Sequence, residues 1–374
     1  MKKILFISHD ACRAGAQLFL LELLIKFKCQ SIFNFEILLS NSGELLPEFE
    51  KLAPTRIWHK PFNNNTIVKY CYLLKANFRK KRILKYYKKQ KFDLIYSNTI
   101  TNGSLLHELA ALNIPVITHV HELNYWIEKC GAQNLRYIKE YTKRYICVSE
   151  AVKNNLIEKY CISKDRIELI HEFIDFEKIN HNQERNGLRK WFNISDSSII
   201  VGASGAEGWR KGKDLFIPLA IQVLSATDND IHFIWIGGEL NYELNYDIKK
   251  SEFHSQIHFI DHLSNANRYF NDFDIFLMLS REDPFPIVNL EVAALGKPIL
   301  CFDNTGGPPE LLNEVKECIS PYLDLRSMAE NIIKLVNNKE KRQFIGKFLQ
   351  EKTKKYYDIS TIVEKVMSTV NQTI

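Results

Sequence analysis

Between Asp274 and Ser280 five apolar residues follow one another without a polar interruption, and two prolines and a helix-like stretch ending at Gly296 come soon after. A strand with one face in water alternates apolar and polar side chains. The run Ile-Phe-Leu-Met-Leu therefore suits a strand covered on both faces, as in a parallel sheet. A parallel neighbour in turn needs a crossover connection, usually a helix. Pro284 and Pro286 have no amide hydrogen and fit a loop or a first helical turn, so the helix starts at about Pro286 and stops at Gly296. Strand, tight turn and helix make the repeating unit of a doubly wound α/β fold.

Asp283 lies in that turn beside Glu282, and Glu291 lies inside the helix. Free amides and the positive dipole end at a helix start favour a phosphate, and carboxylates on either side accept hydrogen bonds from hydroxyls. A diphosphate with a sugar at each end presents both kinds of group. By spacing alone, however, two acids near a helix start read as dipole compensation at a surface.

The same unit recurs. Residues 3–8, 35–39, 92–97, 114–122 and 145–149 read as strands in the first half, and 198–203, 231–238, 257–262 and 297–302 join 274–280 in the second. With 374 residues the chain has room for two domains. The first βα loop, residues 9–16, carries Gly15, which lets a ligand approach the backbone, but no G-x-G-x-x-G is present. In the second half SGAEGWRKGKD, with Gly205, Arg210, Lys211 and Gly212, forms a cationic glycine-rich loop before a helix from about Leu215. It lacks the Lys-Ser/Thr frame of a Walker A loop. His119 and His121 point the same way at a strand end, and a third metal ligand at fitting spacing is not evident. His262, at the end of another strand, is a candidate for contact with a base.

Eight cysteines without a C-x-x-C pair argue against a zinc site or a disulfide framework and fit a reducing compartment. His9 and Asp10 interrupt the opening apolar run too early for a signal peptide, and no run approaches a membrane span; the expected location is the cytoplasm. Residues 1–175 carry 27 Lys and Arg against 17 Asp and Glu, and the remainder 23 against 27. Much of the excess lies in residues 75–91, where nine of seventeen are basic on a helix or helix pair spanning 66–91. That stretch reads as a solvated helix face, as a patch for an anionic membrane surface, or, last, as a nucleic-acid contact, for which no recognition motif is present.

The run 283–298 resembles the acidic motif of retaining GT-B glycosyltransferases of glycosyltransferase family 4. Asp283 and Glu291 match its two acids, with Asp in place of the first Glu, and Phe285, Leu290, Ala293 and Gly296 to Pro298 fall in its register. Lys211-Gly212, Gly15 and His121-Glu122 match three further family positions. The resemblance implies a GT-B fold with two Rossmann-like domains and an interdomain cleft. It places an acceptor domain at 1–175 with a C-terminal helix, 352–374, packing back on it, and a nucleotide-sugar domain at 176–351.

The implied function is retaining, metal-independent transfer of a hexose-type sugar from a nucleotide-diphosphate sugar to a saccharide or lipid-linked saccharide in surface polysaccharide assembly, on the inner face of the membrane. The implied catalytic set is His121, Arg210, Lys211 and Asp283. The implied donor set is Gly15, Gly205, Arg210, Lys211, His262, Asp283, Phe285, Pro286, Ile287, Val288 and Glu291. No cofactor, metal or nucleic-acid partner is expected. A non-hydrolysing nucleotide-sugar epimerase and a catalytically silent donor-binding subunit are the alternatives.

Overall fold

The computed structural model describes residues 1–59, 66–181, 186–263 and 265–374, with the backbone alone for 66–76 and 180–181. It divides into two units: Met1–His171 with Ile362–Ile374, and Glu172–Thr361. Among the described residues, the first unit has seven parallel strands. They are β1 (Lys3–Ser8), β2 (Asn34–Leu39), β3 (Thr55–Ile57), β4 (Leu94–Ser97), β5 (Val116–Val120), β6 (Arg144–Cys147) and β7 (Ile167–Leu169), in the order β3-β2-β1-β4-β5-β6-β7. The second unit has six: β8 (Ile199–Ser204), β9 (Ile231–Ile236), β10 (Ile257–Ile260), β11 (Ile275–Met278), β12 (Ile299–Phe302) and β13 (Ile319–Ser320). Their order is β10-β9-β8-β11-β12-β13, again all parallel. Both units are thus doubly wound α/β sheets of Rossmann type, as the apolar runs imply.

Those runs are buried as parallel strands require. Ile4 to Ile7, Ile275, Phe276 and all of β12 have no solvent exposure. Each such aliphatic or aromatic side chain contributes roughly 1.5–3 kcal/mol relative to exposure. Strand order reverses once in each sheet, between β1 and β4 and between β8 and β11. Helices that follow such a pair leave on opposite faces, so the two loops part and open a crevice at the carboxyl ends of the strands. In the second unit these loops are 205–212 and 279–286.

The helix after β11 is Ile287–Ala294, with Pro286 as its N-cap. At the other end Gly296, at φ +70°, donates to the Ala293 carbonyl at 2.9 Å, and the Lys297 amide donates to that of Val292 at 3.3 Å. A left-handed residue closing these two bonds is the reason glycine stands there.

Residues 66–90 form one helix, Thr66–Gln90, the first of the two forms that the sequence left open, and Lys75 of the basic stretch has its side chain outside the described residues. Two features depart from the sequence reading. β5 stops at Val120, so His121 and Glu122 lie past the strand. The short β3 and the helices Asn124–Lys129 and Ala132–Tyr141 have no counterpart in the sequence reading. The last helix, Ile359–Thr373, buries Ile362, Val366 and Val370, and its end is tied down by Lys143 Nζ, which donates to the Thr373 carbonyl at 2.7 Å.

Candidate active site

The two loops at the β8/β11 switch point meet through their side chains. Lys211 Nζ lies 2.6 Å and Arg210 Nη1 3.0 Å from the same oxygen, Oδ2, of Asp283. Ser280 Oγ donates to that oxygen at 3.2 Å. Burial pulls the Lys211 ammonium below its usual pKa and Arg210 adds to this, with Asp283 opposing. Burial alone would raise Asp283, but the Lys211 and Arg210 charges and the hydrogen bonds from Lys211 and Ser280 outweigh it, and the carboxyl titrates below its usual range. Glu282 enters the cluster with its main-chain oxygen, which accepts from Arg210 Nη1 at 2.6 Å. The carboxylate set against the two cations is therefore that of Asp283.

Backbone geometry fixes this meeting. Gly212 adopts φ +71°, and a Cβ there would lie 2.1 Å from the Leu279 carbonyl oxygen, so only glycine lets the loops pass this closely. Asp283 is pinned on its other side: its amide donates to the Thr305 carbonyl at 2.7 Å, and its carbonyl accepts from Gly307 at 2.9 Å. Gly205 packs beside Lys211, where an added Cβ would stand 3.4 Å from the lysine Cβ.

Phe285, Pro286, Ile287 and Val288 follow as the entry to the helix. Phe285 is buried, its ring 5.4 Å from that of Tyr357. Pro286 has no amide hydrogen, and the Asn289 amide already donates to the Pro286 carbonyl at 3.0 Å, which leaves the amides of Ile287 and Val288 as the helix-start donors. One turn on, Glu291 Oε1 accepts from Asn267 Nδ2 at 2.9 Å. Burial raises its carboxyl to about 7, with Asn267 opposing.

The remaining candidates are not part of this cluster. His262 is exposed two residues beyond β10. Gly15 is the first residue of the helix Gly15–Cys29 in the first unit rather than part of a turn. His121 lies in that unit too, its ring 4.2 Å from that of His119 and 5.1 Å from Phe19. The side chain of Glu122 is buried: it accepts from Thr99 Oγ1, from the Ile100 amide at 3.3 Å and from the His121 amide at 2.9 Å. It braces the β4 and β5 loops and is not presented at the strand ends. Among the described residues no three His, Cys, Asp or Glu side chains form a group that could hold a metal ion.

Sequence reasoning left Ser280, Arg281, Asp214 and Asn267 without a role. None of the four carries a local signal in the chain, since the partners of Arg281, Asp214 and Asn267 lie far away in sequence.

Two Rossmann-type units, one with cations and a carboxylate joined at its switch point, define the class of the GT-B glycosyltransferases. The comparisons agree. Glycosyltransferase Family 4 matches residues 37–178 and Glycosyl transferases group 1 matches residues 184–352. The chain belongs to the GT-B glycosyltransferases, related to these two groups. The O-antigen biosynthesis glycosyltransferase WclY of Escherichia coli is 32% identical over 133 residues, 35% of this chain and 36% of that protein. This match spans only about a third of WclY. The capsular polysaccharide biosynthesis glycosyltransferase CapM of Staphylococcus aureus is 22% identical over 236 residues, 60% of each chain. In fold, the crystal structure of Anabaena HepE in complex with UDP and glucose superposes with a TM-score of 0.82 at 17% identity, covering 99% of this chain and 100% of that one.

Proposed function

We propose that this chain is a retaining, metal-independent glycosyltransferase that moves a hexose-type sugar from a nucleotide-diphosphate sugar to a saccharide or lipid-linked saccharide during surface polysaccharide assembly. The observation that carries the reading is the meeting of Arg210 and Lys211 with Asp283, in one unit with the free amides of Ile287 and Val288 and with Glu291 one turn along. The names of WclY and CapM support the pathway class, and the UDP held by HepE makes a uridine-diphosphate sugar the first donor to test.

In this reading the bond between sugar C1 and the diphosphate oxygen breaks, and its electron pair stays on that oxygen. Arg210, Lys211 and the two helix-start amides stabilise the growing charge, a task for which fixed donors are well suited. The acceptor oxygen bonds to C1 on the same face, and its proton passes to the departing phosphate oxygen. Asp283 orients the sugar hydroxyls and Glu291 the ribose. Phe285 and Pro286 set the entry of the helix, and Gly205 admits the diphosphate to the backbone. The family pattern further assigns Gly15 to the donor and His121 to the transferred sugar, and the strand-end position of His262 suggests the base for it. It gives residues 1–175 with 352–374 to the acceptor and 176–351 to the donor.

A place on the inner face of the cytoplasmic membrane completes the proposal. On the helix Thr66–Gln90 and just beyond, Lys81, Arg82, Lys85, Lys88, Lys89 and Lys91 are exposed, and Phe78 is 73% exposed beside them. This chemistry suits an anionic leaflet. No helix among the described residues is long and apolar enough to cross a membrane.

The test is calorimetric titration with UDP, GDP, ADP, CDP and dTDP and their sugars, with Lys211→Ala and Glu291→Ala as controls. One nucleotide should bind the native protein and neither variant at comparable strength. Incubating the matching sugar with an acceptor should yield product of retained anomeric configuration by NMR. An inverted product removes the retaining mechanism. Isomerised donor without acceptor points to the epimerase, and binding without turnover to a silent subunit.

A further inference from the structure

Arg281, on the 279–286 loop, reaches across to the other loop of the switch point with a side chain only 8% exposed, and no part of the transfer chemistry above uses it. Its guanidinium makes a two-point contact with Asp214, Nη1 to Oδ1 at 2.8 Å and Nη2 to Oδ2 at 2.6 Å. Nη1 also donates to the Trp209 carbonyl at 2.7 Å, and the guanidinium carbon stands 5.1 Å from the Trp209 ring centre. The Arg281 main-chain amide donates to the Arg210 carbonyl at 2.8 Å, and Arg210 returns a hydrogen bond to the Glu282 carbonyl at 2.6 Å. The bonds of Arg281 thus take hold of Trp209 and Arg210, the two residues immediately before Lys211, and of Asp214 in the first turn of the helix Lys213–Leu224.

We infer that Arg281 is a positioning residue of the donor site, holding the 209–214 segment against the 280–283 turn so that Arg210 and Lys211 stay aimed at one point. This rests on the donor reading proposed above. Loop 205–212 contains three glycines, two of them at positive φ, and such backbone loses much freedom when fixed. Its cations would otherwise carry that ordering cost on binding. A buried guanidinium with several donors in a fixed fork meets a carboxylate, a carbonyl and an indole at once. An ammonium has the same charge but cannot span the two carboxylate oxygens and the carbonyl in that geometry. The charge of Arg281 is consumed by Asp214, which leaves Arg210 and Lys211 to meet the diphosphate.

The variants are Arg281→Lys and Asp214→Asn, each checked for a cooperative melt. In the ligand-free protein, hydrogen exchange of peptides covering 205–212 should quicken at least tenfold in both, with β8 and β11 unchanged; this readout needs no donor. Calorimetry with UDP, or whichever nucleotide diphosphate binds the native protein, should show affinity reduced about tenfold. In turnover, KM for the nucleotide sugar should rise more than kcat falls. Unchanged exchange in the loop overturns the inference, as does unchanged affinity where the native protein binds. If the native protein binds no nucleotide diphosphate while the loop exchange quickens, the donor reading fails and Arg281 is a loop clamp alone.

Discussion

Lys211 Nζ stands 2.6 Å from Asp283 Oδ2, and Arg210 shares that oxygen at 3.0 Å, so the carboxylate pairs with the same two cations that the proposed diphosphate needs. If these cations hold the diphosphate as proposed, an incoming anion exchanges places with Asp283, which frees the carboxylate for the sugar.

Asp283→Asn separates the two roles. Without the competing charge, the ligand-free protein holds two partly buried cations with no anion and should be less stable by about 1–3 kcal/mol, read as a lower melting temperature. UDP should bind at least threefold tighter than to the native protein and restore the melt, while sugar transfer falls by two orders of magnitude or more. Weaker UDP binding in titration calorimetry would mean that Asp283 supports the cations and does not compete for them.

Glu291 supplies a pH dependence with a definite sign. Burial raises its folded carboxyl to about 7 from an ordinary 4.5, so between these values the folded state holds a proton that the unfolded state has lost. Stability linked to this group is therefore present in acid and falls as pH rises from about 4.5 to 7, by on the order of 3 kcal/mol once complete. Glu291→Gln should flatten this part of the profile and raise the melting temperature at pH 8. If a ribose donates to the ionised carboxylate, nucleotide binding at pH 6 releases a proton, and calorimetry in two buffers of different ionisation enthalpy should detect it. Equal enthalpies in the two buffers would remove Glu291 from the ribose.

How far the site was legible depends on how local its signals are. The turn at 279–286 and the helix after it are readable because each residue acts on its own backbone: Pro284 and Pro286 by lacking an amide hydrogen, Gly296 by accepting φ +70°. The sheets are readable because two-sided burial writes itself as uninterrupted apolar runs. Arg281 is not readable in this way. Its partners Trp209, Arg210 and Asp214 lie 67 to 72 residues away, and nothing near Arg281 distinguishes a clamp from a solvated charge. Asn267 is equally silent, meeting Glu291 across 24 residues. Glu122 shows the converse: an acid that the sequence places at a strand end, where ligands bind, is used to tie down a neighbouring loop.

The first unit should lose stability in acid through His119. This ring has no solvent exposure, its Nδ1 is 2.7 Å from Tyr96 Oη, and burial, reinforced by the nearby His121, holds its pKa well below 6.5. The unfolded chain protonates His119 near pH 6.5 while the folded chain does not, so stability is present above that pH and drains away below it. His119→Gln should blunt the fall in melting temperature between pH 7 and 5. An unaltered slope would assign the acid sensitivity to other groups.

The basic face of the helix Thr66–Gln90 gives the last prediction. Lys81, Arg82, Lys85, Lys88 and Lys89 are exposed within three turns, whereas Lys80 on the inner side is paired with Glu108 at 2.7 Å. Near an anionic leaflet each such cation contributes about 1 kcal/mol, and this falls off within a Debye length of roughly 10 Å at 0.1 M salt. The native protein should sediment with vesicles of one-third phosphatidylglycerol in phosphatidylcholine, release as salt rises to 0.5 M, and ignore phosphatidylcholine alone. Replacing Lys81, Arg82, Lys85 and Lys89 by Gln should abolish sedimentation without changing UDP affinity, since none of the four is among the residues assigned to the donor. Phe78→Ser should weaken binding severalfold while preserving its salt dependence, because an aromatic side chain in the headgroup layer adds a contribution that salt does not screen. Equal sedimentation with both vesicle types, or binding that survives high salt, would show that this face is a solvated helix surface and not a docking site.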